Sequence, residues 1–220
     1  MGKIVVTGAN RGIGLELVKQ LVARGEEVVA VCRKHHPELE ATGAEIIEGV
    51  DVTNEVTIDA LASTLKGVQV DWLINNAGIL VQDTLDGLNF EGAERQFQVN
   101  AIGPLRITAA LRPNLSKGSK VFVMSSRVGS ITDNTSGGFY GYRMSKAAVN
   151  IAAKSLSIDL HPEGIGVFVL HPGYVATDMT DHQAPTSVSD AAKGLIARMD
   201  ELGHESTGTF WHAQGEPLPW

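Results

Sequence analysis

Apolar residues along the 220-residue chain fall into two rhythms that alternate from one end to the other. Short β-branched runs end in glycine or polar turns, and between them apolar positions recur at three- and four-residue intervals. The first run, Lys3-Ile4-Val5-Val6-Thr7, passes through a glycine turn to Leu15, Val18, Leu21 and Val22, which predicts strand, turn and helix. Further strands are predicted at residues 27–32, 44–49, 70–74, 119–124, 165–170 and 207–211. Helices are expected from about residue 55 to 65, capped by Thr53 or Asn54, and from about 90 to 111 with an interruption at Gly103-Pro104. Two more are expected from near Tyr142, and from the capping-box sequence Ser187-Val188-Ser189-Asp190 to about Leu202. Strands alternating with helices predict an α/β fold: a doubly wound parallel sheet of about seven strands, with residues 1–220 as one domain.

Composition narrows the function classes. Hydrophobic residues make up 43%, enough for a continuous core, and aromatic residues only 5%. The net charge of -7, from 25 acidic and 18 basic residues without a basic run, offers nothing to nucleic acid or to an anionic membrane surface. Small molecules and further copies of the chain are the partners expected. Cys32 is the only cysteine and no apolar run approaches the roughly 18 residues of a membrane span. The start reads directly as a strand rather than a leader, so a cytoplasmic location is expected.

Candidate chemistry lies where strands end. Gly8-Ala9-Asn10-Arg11-Gly12-Ile13-Gly14 spaces its glycines G-x-x-x-G-x-G between a strand and a helix. Glycines there let the backbone approach a pyrophosphate, and the N–H groups and dipole of the helix N-terminus hold an anion. The second strand ends in Cys32-Arg33, where dinucleotide folds commonly place a carboxylate for the ribose 2′-hydroxyl. Arg33, with Arg11, suits a 2′-phosphate instead. Asp51 could accept from an adenine amino group or simply cap the next turn. Asn75-Asn76-Ala77-Gly78 closes the fourth strand and fits a ligand crevice as well as it fits a plain turn. Asn100, before Gly103-Pro104, could turn a carbonyl and its side chain towards a water.

The sharpest signal is Tyr142 with Lys146, a phenol and an amine at i,i+4 at the head of an Ala-rich helix. An ammonium beside a tyrosine favours the phenolate, so the Tyr142 pKa is expected below its ordinary ~10, as suits a general acid for a carbonyl oxygen. The same helix carries Ala147, Ala148, Ala152 and Ala153, small residues that would let a second helix come close, or let their own helix sit on the sheet.

Taken together, Thr7 to Gly14, Asp51-Val52, Asn75 to Gly78, Asn100, Ser126, Tyr142 with Lys146, and Pro172-Gly173 followed by Thr177 resemble the short-chain dehydrogenase/reductase family over essentially the whole chain. The wording around Ser125 to Ile131 and Asp133 to Gly138 is similar to its C-factor-like and sniffer-like carbonyl reductases. The resemblance implies a Rossmann fold, NADP(H) as cofactor, a small-molecule carbonyl substrate and assembly as a homodimer or homotetramer. It implies that Tyr142 protonates the carbonyl oxygen and Ser126 orients it. Lys146 would hold the nicotinamide ribose and depress the Tyr142 pKa, and Asn100 would organise the water that resupplies the proton. Gly8, Asn10, Arg11, Gly12, Ile13 and Gly14 would cradle the phosphates, with Arg33, Asp51, Val52, Asn76, Ala77 and Gly78 around the adenosine half. Pro172, Gly173, Val175 and Thr177 would face the nicotinamide. Ser126 precedes Tyr142 by 16 positions (142 − 126), a long gap that leaves Ser125 and Ser130 as rivals. Few residues separate Thr177 from the last helix, so an open pocket is expected. The seven histidines show no metal spacing, and His171 reads as part of a strand-end turn. The competing function class is a nucleotide-bound signalling or interaction protein with little turnover; four intact catalytic-type residues favour the enzyme.

Overall fold

The computed structural model describes residues 2–220. Strands β1 (Lys3–Thr7), β2 (Val28–Val31), β3 (Glu45–Ile47), β4 (Val70–Asn75), β5 (Lys120–Met124), β6 (Gly166–His171) and β7 (Thr209–His212) form one sheet in the order β3-β2-β1-β4-β5-β6-β7. All six pairings are parallel. The α/β fold with a doubly wound, seven-stranded parallel sheet is therefore the one observed. Strand ends differ from the sequence expectation by a residue or two, since apolar patterning marks burial and not ladder hydrogen bonding.

Helices α1 (Gly12–Ala23), α2 (Pro37–Glu40), α3 (Glu55–Thr64), α4 (Phe90–Phe97), α5 (Gly103–Leu111), α6 (Tyr140–Asp159) and α7 (Val188–Glu201) connect the strands. Asn54, not Thr53, caps α3, accepting from the Val56 N–H at 3.0 Å. Ser187 caps α7 in the same way, accepting from Asp190 N–H at 3.0 Å. Alternation along each strand divides the core in two. Val5, Val29, Leu73, Val121, Val123 and Val167 face α3, α5 and α6, while Ile4, Val6, Ile74, Phe122, Phe168 and Leu170 face α1 and α7. Burying both sheet faces is what a parallel sheet requires, and a fully buried Leu or Phe contributes about 1.5–3 kcal/mol.

The helix expected over 90–111 is interrupted as predicted. Between α4 and α5 the chain widens into a π turn, Gln98–Ile102, where the Gly103 N–H bonds the Gln98 carbonyl five residues back. Pro104 has no N–H to return to the Asn100 carbonyl, so the α-helical ladder cannot run through this point.

The alanines of α6 mostly serve its own sheet. Ala153 belongs to the core and Ala148 packs against it. Beyond Tyr140 at its start, the exposed large apolar side chains of α6 are Met144, Ile151 and Ile158, seven residues apart and hence on one face. No helix among the described residues is long and apolar enough to cross a membrane.

Candidate active site

The strand order reverses at β1, which has β2 on one side and β4 on the other. A crevice opens there beyond the carboxyl ends of the strands, the place where doubly wound sheets bind ligands. A cavity of about 770 Å³ occupies it, bordered by Gly8 to Gly14, Asp51, Asn76 to Gly78, Tyr142, Lys146, Pro172 and Thr177. That volume lies in the range of cofactor sites.

Backbone forms the middle of this cavity. Gly8 and Gly12 adopt left-handed φ values of 65° and 52°, which a side chain would strain. A Cβ on Gly14 would overlap the Gly8 carbonyl oxygen and come within 2.5 Å of Asn76 Nδ2. Asn76 pins the turn: its amide donates to the carbonyls of Thr7 (3.0 Å) and Gly8 (3.2 Å), and its N–H donates to Thr7 Oγ1 (3.1 Å). The first turn of α1 has neither a side-chain cap nor an acidic residue. Its outward N–H groups are thus left for an anion, and the residues fit a dinucleotide pyrophosphate.

At the adenosine end, Arg33 follows the buried Cys32 and lines the cavity. Arg11 lines it too, but its guanidinium pairs with Asp178 at 2.9 Å instead of converging with Arg33. The expectation of two arginines side by side is corrected here: the glycine turn presents Arg11 to the segment after β6, where a carboxylate waits. Asp51 Oδ1 accepts from the Thr53 N–H (2.8 Å) and hydroxyl (2.7 Å), so the turn-capping reading holds for that atom. Burial pushes the Asp51 pKa up. The two Thr53 hydrogen bonds, with Arg33 and Arg95 nearby, outweigh it and hold the carboxyl below its ordinary value.

The opposite end gathers side chains from three elements. Tyr142 and Lys146 stand on α6, Ser126 caps the short turn after β5, and Asn100 sits in the π turn. Ser126 is within hydrogen-bonding reach of the Tyr142 hydroxyl and acts to lower its pKa, but burial dominates and pushes it up to about 12. The expected depression by Lys146 is absent because Lys146 Nζ lies 5.6 Å from the Tyr142 ring centroid and donates to the Met124 carbonyl at 2.9 Å. Lys146 is itself buried, and burial lowers its pKa to about 8. Asn100 does not face open space. Its Oδ1 accepts from the Ile79 N–H, and its Nδ2 donates to the Ile79 carbonyl, both at 2.9 Å, and to Ser145 Oγ at 3.0 Å.

The family profile described as short chain dehydrogenase matches residues 2–187. The chain belongs to that family. It is 42% identical, over the full length of both chains, to 1-hydroxy-2-glutathionyl-2-methyl-3-butene dehydrogenase of Rhodococcus sp. (strain AD45). Among solved structures, the carbonyl reductase Sniffer of D. melanogaster superimposes with a TM-score of 0.93 at 33% identity, covering all of both chains. The NADPH-bound carbonyl reductase from chicken fatty liver gives 0.91 at 30%, covering 100% of this chain and 99% of that one.

In this short chain dehydrogenase Ser125 lines the cavity and Ser126 does not, yet both rival serines donate their hydroxyls elsewhere. Ser125 Oγ donates to Asn150 Oδ1 at 2.6 Å and Ser130 Oγ to the Trp220 carbonyl at 2.8 Å. Gly173 and Val175 lie behind the cavity wall rather than on it. Gly173 has φ 93° and faces His212; buried Val175 gives its carbonyl to Thr180 Oγ1 at 2.6 Å. His171 is half-buried, edge-on against His212 at 4.9 Å, with its buried Nδ1 unpaired, and desolvation lowers its pKa to about 3. Sequence reasoning missed Arg95 and Val99, which line the adenosine end. Their i,i+4 spacing ahead of Asn100 was the available signal. Asp178 and Met179, which follow Thr177 and carry no motif of their own, also line the cavity.

Proposed function

We propose that this protein is an NADPH-dependent oxidoreductase that reduces an aldehyde or ketone to an alcohol. The observation that carries the reading is the arrangement at the two ends of one cavity. Tyr142 and Lys146 border one end, with Ser126 beside the Tyr142 hydroxyl, and the glycine turn with Arg33 borders the other. NADPH, when bound, supplies the hydride. The first-turn N–H groups of α1 hold the pyrophosphate and Arg33 the 2′-phosphate, with Asp51, Val52, Asn76, Ala77 and Gly78 around the adenosine. Ser126 donates a hydrogen bond to the substrate oxygen while Tyr142 gives it a proton. Lys146, released from the Met124 carbonyl to the ribose and the tyrosine, stabilises the phenolate left behind; that approach offsets the burial that now raises the Tyr142 pKa. Asn100 holds the π turn against Ile79 and Ser145, leaving the turn's backbone to order the water that reprotonates Tyr142. Thr177 and the Pro172 to Val175 turn orient the nicotinamide.

The solved neighbours, both carbonyl reductases and one of them NADPH-bound, support NADPH and a carbonyl substrate. The Rhodococcus relative, named for the oxidation of a glutathionyl alcohol, supports including the reverse direction, with Tyr142 as base. Self-association as a homodimer or homotetramer belongs to the same reading, now through the exposed Met144, Ile151 and Ile158 face of α6; sedimentation showing only monomer at micromolar concentration would remove it. The deciding test is NADPH oxidation by purified protein against a panel of aldehydes, ketones and quinones, with a glutathionyl alcohol and NADP+ in the reverse direction. Turnover on at least one carbonyl is expected. No turnover on any member, with NADPH shown to bind, would favour the signalling or interaction alternative.

A further inference from the structure

The gap between Ser126 and Tyr142 is long, and its last residues are held in an unusual way. Gly137, Gly138 and Phe139 adopt left-handed φ angles of 64°, 66° and 51° in succession. Phe139, a bulky residue that rarely enters this region, is strained there. Something must hold this turn, and the half-buried Arg143, next to Tyr142 on α6, is placed to do it. Its Nε donates to the Gly138 carbonyl (3.0 Å), and one terminal nitrogen donates to Ser136 Oγ (2.9 Å) and the Gly137 carbonyl (3.1 Å). The other terminal nitrogen donates to the Val128 carbonyl at 3.0 Å. Val128 in turn donates its N–H to Ser126 Oγ at 3.4 Å. On the far side of the turn, Asp83 receives the Phe139 N–H on its carbonyl (3.1 Å) and the Gly141 N–H on Oδ2 (3.3 Å). One planar guanidinium thus spans both ends of the segment that separates the two hydroxyls, a task for its fixed fork of donors that a lysine ammonium does not reproduce.

We propose that Arg143 is a positioning residue of this site: it ties the Ser126 turn and the left-handed turn 137–139 to the helix bearing Tyr142, and so sets the distance between the two hydroxyls that hold the substrate oxygen. This rests on the reading of Ser126 and Tyr142 given above. Arg143 does not border the cofactor cavity, so its effect is confined to the chemical end. A misplacement of about 1 Å at a reacting centre can cost roughly 100-fold in rate. Removing the tether therefore acts on kcat and leaves NADPH affinity alone.

The test compares wild type, Arg143→Lys, Arg143→Ala and Tyr142→Phe for carbonyl reduction, NADPH affinity by fluorescence titration, and hydrogen exchange over residues 127–141. Arg143→Ala is expected to lose about 10–100-fold in kcat, with NADPH affinity unchanged and exchange accelerated over 127–141. Arg143→Lys should recover only part of kcat, and it carries the test if the alanine variant does not fold. An unchanged kcat in a destabilised Arg143→Ala protein means a purely structural arginine, and kcat and NADPH affinity falling together mean general damage; either overturns the inference. If Tyr142→Phe keeps full activity, the functional reading fails instead. The exchange measurement then still judges the tether, and unaltered exchange in Arg143→Ala would refute it.

Discussion

The two ends of the cavity are built from different material. At the pyrophosphate end the parts are backbone: two left-handed glycines, a third glycine with no room for a Cβ, and an uncapped helix start, all within seven consecutive residues, Gly8 to Gly14. At the chemical end the parts are side chains delivered by α6, the turn after β5 and the π turn, and steadied by contacts such as Arg143 to Val128 and Asn100 to Ile79. Backbone sites tolerate no added volume yet read little of a ligand's identity. Side-chain sites tolerate volume but depend on geometry, and Phe139, which has positive φ, stands in the turn that leads into the helix of Tyr142.

This contrast can be broken most forcefully at Gly14. Gly14→Val places atoms onto the Gly8 carbonyl and Asn76, so overpacking should cost ~1–3 kcal/mol of stability; a fluorescence titration should show no NADPH binding. Retained binding would mean that the glycine turn does not cradle the pyrophosphate. At the other end, Ser126→Ala removes a donor without crowding anything. Loss of one such donor typically costs roughly 10²–10³-fold, and steady-state kinetics should place that loss in kcat with NADPH affinity intact. Ser125→Ala, at a serine that borders the cavity but commits its hydroxyl to Asn150, should leave more activity than Ser126→Ala; the reverse order would move the serine role.

A smaller effect sharpens the adenosine end. With Arg11 held by Asp178, Arg33 would carry the 2′-phosphate alone in the proposed function, and one good contact worth about 1.4 kcal/mol would give tenfold discrimination. Arg33→Asp should weaken NADPH binding by about that factor or more while sparing NADH, and Arg11→Ala should matter less. Equal wild-type affinities for the two cofactors at fixed salt would contradict this. The least effect expected is one of pH. His171 is kept neutral by burial, with His212, Arg127 and Lys146 adding to the depression. Its folded pKa of about 3 lies below the ordinary ~6.5, so between these values the unfolded chain binds more protons and stability rises with pH. Acidification from pH 7 to 5 should therefore lower amide protection factors, taken relative to the slower intrinsic exchange at acid pH, in β6 and β7 before β1 and β2; loosening that begins in β1 would count against it.

The fold was legible because the sheet is parallel and covered on both faces: strands are β-branched runs and the longer crossovers helices at 3.6-residue spacing, whereas the four-residue α2 between β2 and β3 is too short to show a period and is not legible. The glycine turn was legible for a related reason, since all its parts are neighbours in sequence. Tyr142 with Lys146 also reads directly, as a pair on one helical face. What could not be read depends on contacts across long separations. Arg11 turns to Asp178, 167 residues away, and Lys146 to the Met124 carbonyl on β5. The Tyr142 pKa was misjudged because spacing reports proximity and says nothing of burial, which here dominates. The alanines of α6 pointed to a second helix although the sheet beneath had the prior claim on Ala148 and Ala153.

The separation of binding from chemistry is tested most directly by Tyr142→Phe, which keeps the ring on the cavity wall and removes only the hydroxyl that carries the acidic proton. NADPH fluorescence titration and carbonyl turnover measured on the same preparation should show unchanged affinity with reduction lowered by roughly 10²–10⁴-fold. Undiminished turnover, or loss of NADPH binding together with turnover, would contradict the account.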